Sequence, residues 1–174
     1  MSEAMVRLTD LRKCYGNFQA VRGLSLAAWA GEVFALLGPN GAGKTTTLRM
    51  LIGILQASGG CASIAGRDCF ADRPAVMAVT GYLPDEPVFY DYLRGRELLT
   101  FAARMHGLAD TYVLARLAPL AEALGLDEAM DEFAMNYSHG MKKKLALLCA
   151  LAHEPRVLIL DEPTNGLDPQ STRA

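Results

Sequence analysis

What this chain of 174 residues has little of narrows the reading first. It has no basic excess. Lys and Arg total 17 against 19 Asp and Glu, the net charge is −2 and the sequence pI is about 5.9. Domains that bind duplex nucleic acid concentrate positive charge, so nucleic acid is not an expected partner. The cysteines, Cys14, Cys61, Cys69 and Cys149, show no paired metal-ligand spacing. They are expected to be reduced thiols of a cytosolic protein. No apolar run approaches the roughly 20 residues that cross a bilayer. The opening "MSEAMVRLTD" lacks the charged-then-apolar layout of a signal peptide. Internal repeats, low-complexity tracts and clear linkers are also missing.

What is present is enough for one domain or a large part of one. Hydrophobic residues make up 51% of the chain and charged residues 21%, a balance that builds a core. "MVRLTDLRKCYG" and "QAVRGLSLAAWAGE" alternate apolar and polar residues between glycine breaks, which predicts short antiparallel strands. "VFALLG" is a compact apolar run ending in glycine and predicts a buried strand. After it, Leu48, Leu51, Ile52 and Leu55 follow helical spacing. From about Tyr92 to Met135 the pattern is helical, with Leu98, Phe101, Ala102 and Met105 on one face. A second helical stretch, 111–124, contains Pro119, which predicts a kink or two shorter helices. "RVLILDEP" is continuously apolar, as buried parallel strands are.

The chemistry is concentrated in three places. "GPNGAGKTTT", Gly38 to Thr47, fits G-x-x-x-x-G-K-[ST] through Gly38, Gly43, Lys44 and Thr45. Glycines let such a loop fold into a nest of inward N–H groups, and the helix behind it adds its positive end. Lys44 supplies a mobile charge for β- and γ-phosphates, and Thr45 a hydroxyl for Mg²⁺. A plain glycine turn with an exposed lysine is the bland alternative, but a strand before and a helix after are the context a phosphate loop needs. In "VLILDEP", Asp161 closes a strand and is a candidate Mg²⁺ ligand. Glu162 follows it, placed to orient or deprotonate a water, a role that contributes about 10²–10⁴ in rate. The third place is "YSHGMKKK", Tyr137 to Lys144, where Ser138 is a candidate N-cap. Positive charge collected at a helix N-terminus opposes the usual preference for acids and suits an anion.

Phosphate loop, then "YSHGM", then "VLILDEPTNGLDP" in that order resemble the ATP-binding domain of ABC transporters over nearly the whole chain. The resemblance implies an α/β fold: a P-loop NTPase core with an N-terminal antiparallel β-subdomain and an inserted α-helical subdomain at about 92–150, in one domain over 1–174 whose C-terminal core is missing. It implies ATP and Mg²⁺ as cofactors, hydrolysis of ATP, a second ATP-binding domain paired head to tail, and a transmembrane permease that holds the chain at the cytoplasmic face. Loop residues Gly38, Pro39, Asn40, Gly41, Ala42, Gly43, Lys44, Thr45 and Thr46 would bind the nucleotide, with Lys44 and Glu162 catalytic. "YSHGM" stands where the family has "LSGGQ", so Ser138 and Gly140 would contact the γ-phosphate of the other subunit. The three lysines behind them are read as a solvated face. Tyr15 matches the aromatic that stacks on adenine, or is a half-buried strand residue.

Two features depart from the family pattern. Asp85 in "GYLPDEP" takes the place of a common glutamine and is a candidate Mg²⁺ ligand beside Thr45 and Asp161. "GYLPDEP" also looks like exporter-type subunits. The family's γ-phosphate histidine has no counterpart, since His106, His139 and His153 lie too early. A nucleotide-binding module without turnover is therefore a second expectation. "NGLD", Asn165 to Asp168, resembles the loop that touches the opposing subunit. Repair and chromosome ATPases are excluded because 48–136 is too short for their long coiled coil.

Overall fold

A computed structural model describes residues 4–165. The chain divides into two compact units, Met1–Ala78 and Val79–Ala174.

In the first unit, β1 (Val6–Tyr15) and β2 (Phe18–Ala28) form an antiparallel pair with Val6 opposite Ala28 and Tyr15 opposite Phe18. The antiparallel pairing expected from the sequence is found, but strict alternation is not: a register shift between Leu8 and Leu11 lets both be buried. Gly16 supplies the positive φ of 57° at the turn. Helix α1 (Lys44–Leu51) is followed by β3 (Gly59–Ile64), β4 (Arg67–Asp68) and helix α2 (Arg73–Met77). The sheet order is β2-β1-β3-β4. Leu8, Leu11, Val21 and Ile64 from the sheet are buried together with Met50, Leu51 and Ile52 at the end of α1. The helix stops before Leu55: Gly53 takes a φ of 68°, and a Cβ there would lie 2.2 Å from the Cys69 carbonyl oxygen.

One expectation fails in this unit. Residues 33–38, "VFALLG", belong to no strand, and Val33 and Leu37 are 101% and 88% exposed. A buried strand needs a ladder on both sides, and among the described residues nothing pairs with this run. Its apolar composition shows that it fits a sheet interior but does not name the neighbours.

In the second unit, β5 (Thr80–Leu83) pairs in parallel with β6 (Val157–Leu160), Thr80 opposite Val157 and Leu83 opposite Leu160. Parallel pairing of "RVLILDEP" is as expected, but burial alternates, with Ile159 buried and Leu158 and Leu160 partly in solvent. Between these strands lie α3 (Gly95–Met105), α4 (Asp110–Ala123), two 3₁₀ turns (Glu128–Asp131 and Ala134–Asn136) and α5 (His139–Leu151). Leu98, Leu99, Val113, Leu117, Leu126, Leu145 and Leu148 make one hydrophobic core. Helix α3 opens with a capping box in which the Glu97 carboxylate accepts from the Arg94 N–H at 2.8 Å.

Pro119 does not divide α4, contrary to expectation. The helix is continuous because Val113, Leu117 and Ala121 bury one face while Pro119 stands on the exposed one. There Pro119 removes the N–H that would bond the carbonyl of Ala115, an exposed residue that solvent can reach. All four cysteines are free thiols, as expected.

Candidate functional site

The loop before α1 is shaped by positive backbone angles. Gly41 has φ 82° and Gly43 φ 87°. A Cβ on Gly43 would lie 2.4 Å from the Ala20 carbonyl oxygen, so β2 and the loop approach as closely as only glycine permits. Gly43 is also the N-cap of α1 and brings no side chain to the helix end. The first turn carries no acid, which leaves the positive end of the helix dipole to the loop. The Lys44 ammonium donates to the carbonyls of Gly38 at 2.8 Å and Pro39 at 3.3 Å, and the Ala42 N–H donates to the Pro39 carbonyl at 3.1 Å. Lys44, Thr45 and Thr46 are half-buried, while Thr47 is buried and donates its hydroxyl to Gly43 O at 2.9 Å.

A cavity of about 510 Å³ opens beside this loop, lined by Phe18 to Leu24 of β2 and by Leu36, Leu37, Gly41 to Lys44 and Thr47. That volume lies within the range of small-molecule sites. Gly41, Ala42, Gly43 and Lys44 line it. Gly38, Pro39 and Asn40 belong to the same loop but not to the lining. Tyr15 does not line the cavity either. It is exposed, with the Lys13 ammonium 5.2 Å from its ring centre, whereas Phe18 does line it. Phe18 was not legible as a site residue because a turn-flanking aromatic carries no motif.

In the second unit, Asp161 follows β6 and is 2% exposed, its N–H donating to Leu83 O at 2.9 Å. Glu162 is exposed and takes a φ of 48°, a left-handed conformation that a non-glycine residue adopts at a cost of about 1–3 kcal/mol. Ser138 is the N-cap of α5, as expected, its hydroxyl accepting from the Met141 N–H at 3.2 Å. Tyr137 ahead of it is buried and donates to Ala129 O at 2.5 Å. Burial, then Glu132 and Asp131, push its phenol above the usual range. A Cβ on Gly95 would strike that hydroxyl, so α3 and the start of α5 are fixed against each other. Gly140 lies half-buried in the first turn of α5.

The lysines correct the solvated-face reading. Lys142 and Lys144 are half-buried, and Lys142 pairs with Asp91 at 3.7 Å. Lys143 is 1% exposed. Its ammonium donates to the carbonyls of Glu162 at 2.5 Å and Asn165 at 2.9 Å and to Asp85 Oδ1 at 3.4 Å. The Asn165 side-chain amide donates to the same Asp85 oxygen at 3.3 Å. The structure therefore places Asp85 on a lysine and an amide, with Asp161 and Glu162 on the neighbouring strand end. Of "NGLD", Asn165 is seen here and residues 166–168 lie outside the described residues. His106 and His153, too early in the chain to be the family's γ-phosphate histidine, stack on each other instead, ring centres 3.8 Å apart.

The donors fit the groups the motifs imply. A glycine nest with a helix N-terminus and a lysine suits phosphate. A hydroxyl at Thr45 and a carboxylate at Asp161 are hard oxygen donors of the kind Mg²⁺ takes. Fold and loop together define a phosphate-loop nucleotide-binding α/β protein. Residues 21–165 match the protein family described as ABC transporter, and the chain belongs to that family. It is 42% identical over 165 residues to the ABC transporter ATP-binding protein YxlF of Bacillus subtilis, covering 95% of this chain and 54% of that one. It is 37% identical to the bacitracin transport ATP-binding protein BcrA of Bacillus licheniformis, over 95% of this chain and 53% of that one. To the Nod factor export ATP-binding protein I of Paraburkholderia xenovorans it is 40% identical, over 98% and 56%. A solved structure of an ATP-binding subunit of an ABC transporter superposes with a TM-score of 0.89 at 33% identity, covering 97% of this chain and 70% of that one. The chain thus spans about half the length of the curated relatives it matches. ABC ATP-binding domains bind ATP, generally with Mg²⁺, and members of the family are ATPases. Among the described residues no helix is long and apolar enough to cross a membrane.

Proposed function

We propose that this chain is the ATP-hydrolysing part of an ABC transporter subunit, which energises a membrane-spanning permease by closing on a second ATP-binding domain around nucleotide. The observation that carries the reading is the loop of residues 38–47: its two left-handed glycines, its dipole-exposed helix start and the adjoining cavity. Gly38 through Thr46 cradle the phosphates. Lys44 moves from the loop carbonyls to the β- and γ-phosphate oxygens, a charge-assisted bond worth about 1.5–3 kcal/mol. The Thr45 hydroxyl and the Asp161 carboxylate are the oxygen donors that would hold Mg²⁺, and the ion, when bound with the nucleotide, would supply charge neutralisation at the transferring phosphoryl group. Glu162 orients the attacking water and accepts its proton.

Tyr15 or Phe18 receives the adenine, and the cavity lining favours Phe18. Ser138 and Gly140, at the start of α5, address the γ-phosphate held by the second domain. The helical stretch 92–150 serves as the helical subdomain within one ATP-binding domain. Exposed Val88, Tyr90 and Tyr92 support a protein partner for that part of the chain. A permease partner would hold the chain at the cytoplasmic face of the membrane. The Nod-factor-export role of one relative supports export as the direction.

The test is steady-state hydrolysis at saturating MgATP, with Glu162→Gln beside the parent. The parent turns over, and Glu162→Gln keeps ATP affinity while its rate falls by about 10²–10⁴. A parent that binds ATP without turnover makes the chain a nucleotide-binding module instead.

A further inference from the structure

We propose that Lys143 is a positioning residue for hydrolysis, a buried cation that fixes the backbone at Glu162 and ties it to the loop bearing Asp85; this rests on the functional reading above. Three segments of the second unit converge on one ammonium. Lys143 belongs to α5, the helix that Ser138 caps. Its Nζ donates to Glu162 O at 2.5 Å and Asn165 O at 2.9 Å, both beyond the end of β6. It also meets Asp85 Oδ1 at 3.4 Å, beyond the end of β5.

An ammonium has three donors and no acceptor, so these three oxygens use its full capacity. At 1% exposure water is not available as a substitute. The carbonyl it grips hardest belongs to Glu162, the residue whose φ of 48° is unfavourable for a side chain of that type. Such a conformation persists only where the surroundings over-determine it. The side-chain direction of Glu162 follows its backbone, so a donor that holds the carbonyl also sets where the carboxylate can reach. Asp85 completes the arrangement. Its charge compensates the buried cation, and Asn165 bridges from the same carboxylate back to the loop after β6. An aspartate here, where the family commonly has glutamine, is accounted for as the counter-charge of Lys143.

Two measurements on the whole chain test this. Lys143→Met keeps the length of the side chain and removes every donor, and Lys143→Gln restores a neutral one. Turnover of Lys143→Met is expected to fall about tenfold or more, the loss that goes with charge-assisted hydrogen bonds, while KM for ATP stays within about twofold. Lys143→Gln recovers part of kcat. Hydrogen exchange of the unliganded proteins gives a readout independent of activity. In Lys143→Met, exchange of the amides of 161–165 accelerates more than that of the α3–α4 core, 98–121, which rises only by the loss of global stability.

A kcat within about twofold of the parent overturns the proposal. So does unchanged exchange at 161–165. Acceleration across 98–121 as large as that at 161–165 reduces Lys143 to general stability and also overturns it. A parent without turnover defeats the functional reading and the catalytic half of this proposal with it, and exchange at 161–165 then decides the tie by itself.

Discussion

Lys44 and Lys143 make the same kind of bond and differ in what covers them. Each donates to two backbone carbonyls, Lys44 to Gly38 and Pro39, Lys143 to Glu162 and Asn165. Lys44 is half-buried and lines a cavity of about 510 Å³, whereas Lys143 is sealed. The carbonyls that hold Lys44 belong to its own loop, a few residues away. Those that hold Lys143 lie about twenty residues on, in another element. One lysine can exchange its carbonyls for a phosphate; the other is part of the framework. The helices beneath them differ in the same sense. Helix α1 starts at a glycine without a capping side chain, and α5 starts at a serine that caps itself. A helix end left without a cap is open to a ligand, and a capped one is already partly satisfied.

The comparison breaks first, if it is wrong, on stability. Lys143→Met is expected to cost about 1.5–3 kcal/mol, because charged hydrogen bonds inside the fold are lost. Lys44→Met is expected to cost less, about 0.5 kcal/mol, because Lys44 is half-buried and water can take its place at the two carbonyls. Urea unfolding of the two variants measures both, and equal costs would erase the distinction between framework and ligand lysine.

The helix ends give the next effect. Ser138→Ala removes the oxygen that accepts from Met141 N–H and is expected to cost about 1 kcal/mol. In the same denaturation series, an unchanged midpoint would show that α5 does not depend on its cap.

The smallest effect concerns pH. His106 and His153 stack within the second unit. Partial desolvation holds both imidazoles below their ordinary value of 6.5, and His106 and Arg116 add to the effect on His153. As pH falls below about 6.5 the unfolded chain takes up protons before the folded one does. The contribution is fully present above that pH and is lost as pH drops through the lowered folded values. His106 is exposed, so solvent screening keeps the change small. Thermal melts between about pH 7.5 and 5 are expected to fall less steeply for His106→Gln than for the parent; parallel curves would remove the pair as a cause.

How much of this was legible in the sequence follows from the range of each interaction. The phosphate loop could be read because glycine spacing, lysine and hydroxyl are local requirements. The Ser138 cap is local too, and so is the pairing of β1 with β2 across the glycine turn. The run 33–38 was legible as apolar but not as unpaired, because ladders are made with distant residues. Phe18 gave no signal. Neither did Lys143. Lys143, Ala146 and Ala150 share a buried face of α5, but positions 145–152 are continuously apolar, so the sequence does not single out which lysine lies on it. Composition alone makes the three look equivalent. Its partners at 85, 162 and 165 could not be found without the fold. Pro119 misleads because a proline on the solvent face of a packed helix costs less than one on the inner face.

The central claim is that the loop of residues 38–47 binds ATP through Lys44, and calorimetric titration of MgATP into the parent and Lys44→Ala tests it most directly. The account predicts saturable binding to the parent and an affinity lower by about 10–150-fold in Lys44→Ala, equivalent to the charge-assisted bond lost. Equal affinity in the two proteins, or no binding to the parent, would contradict it.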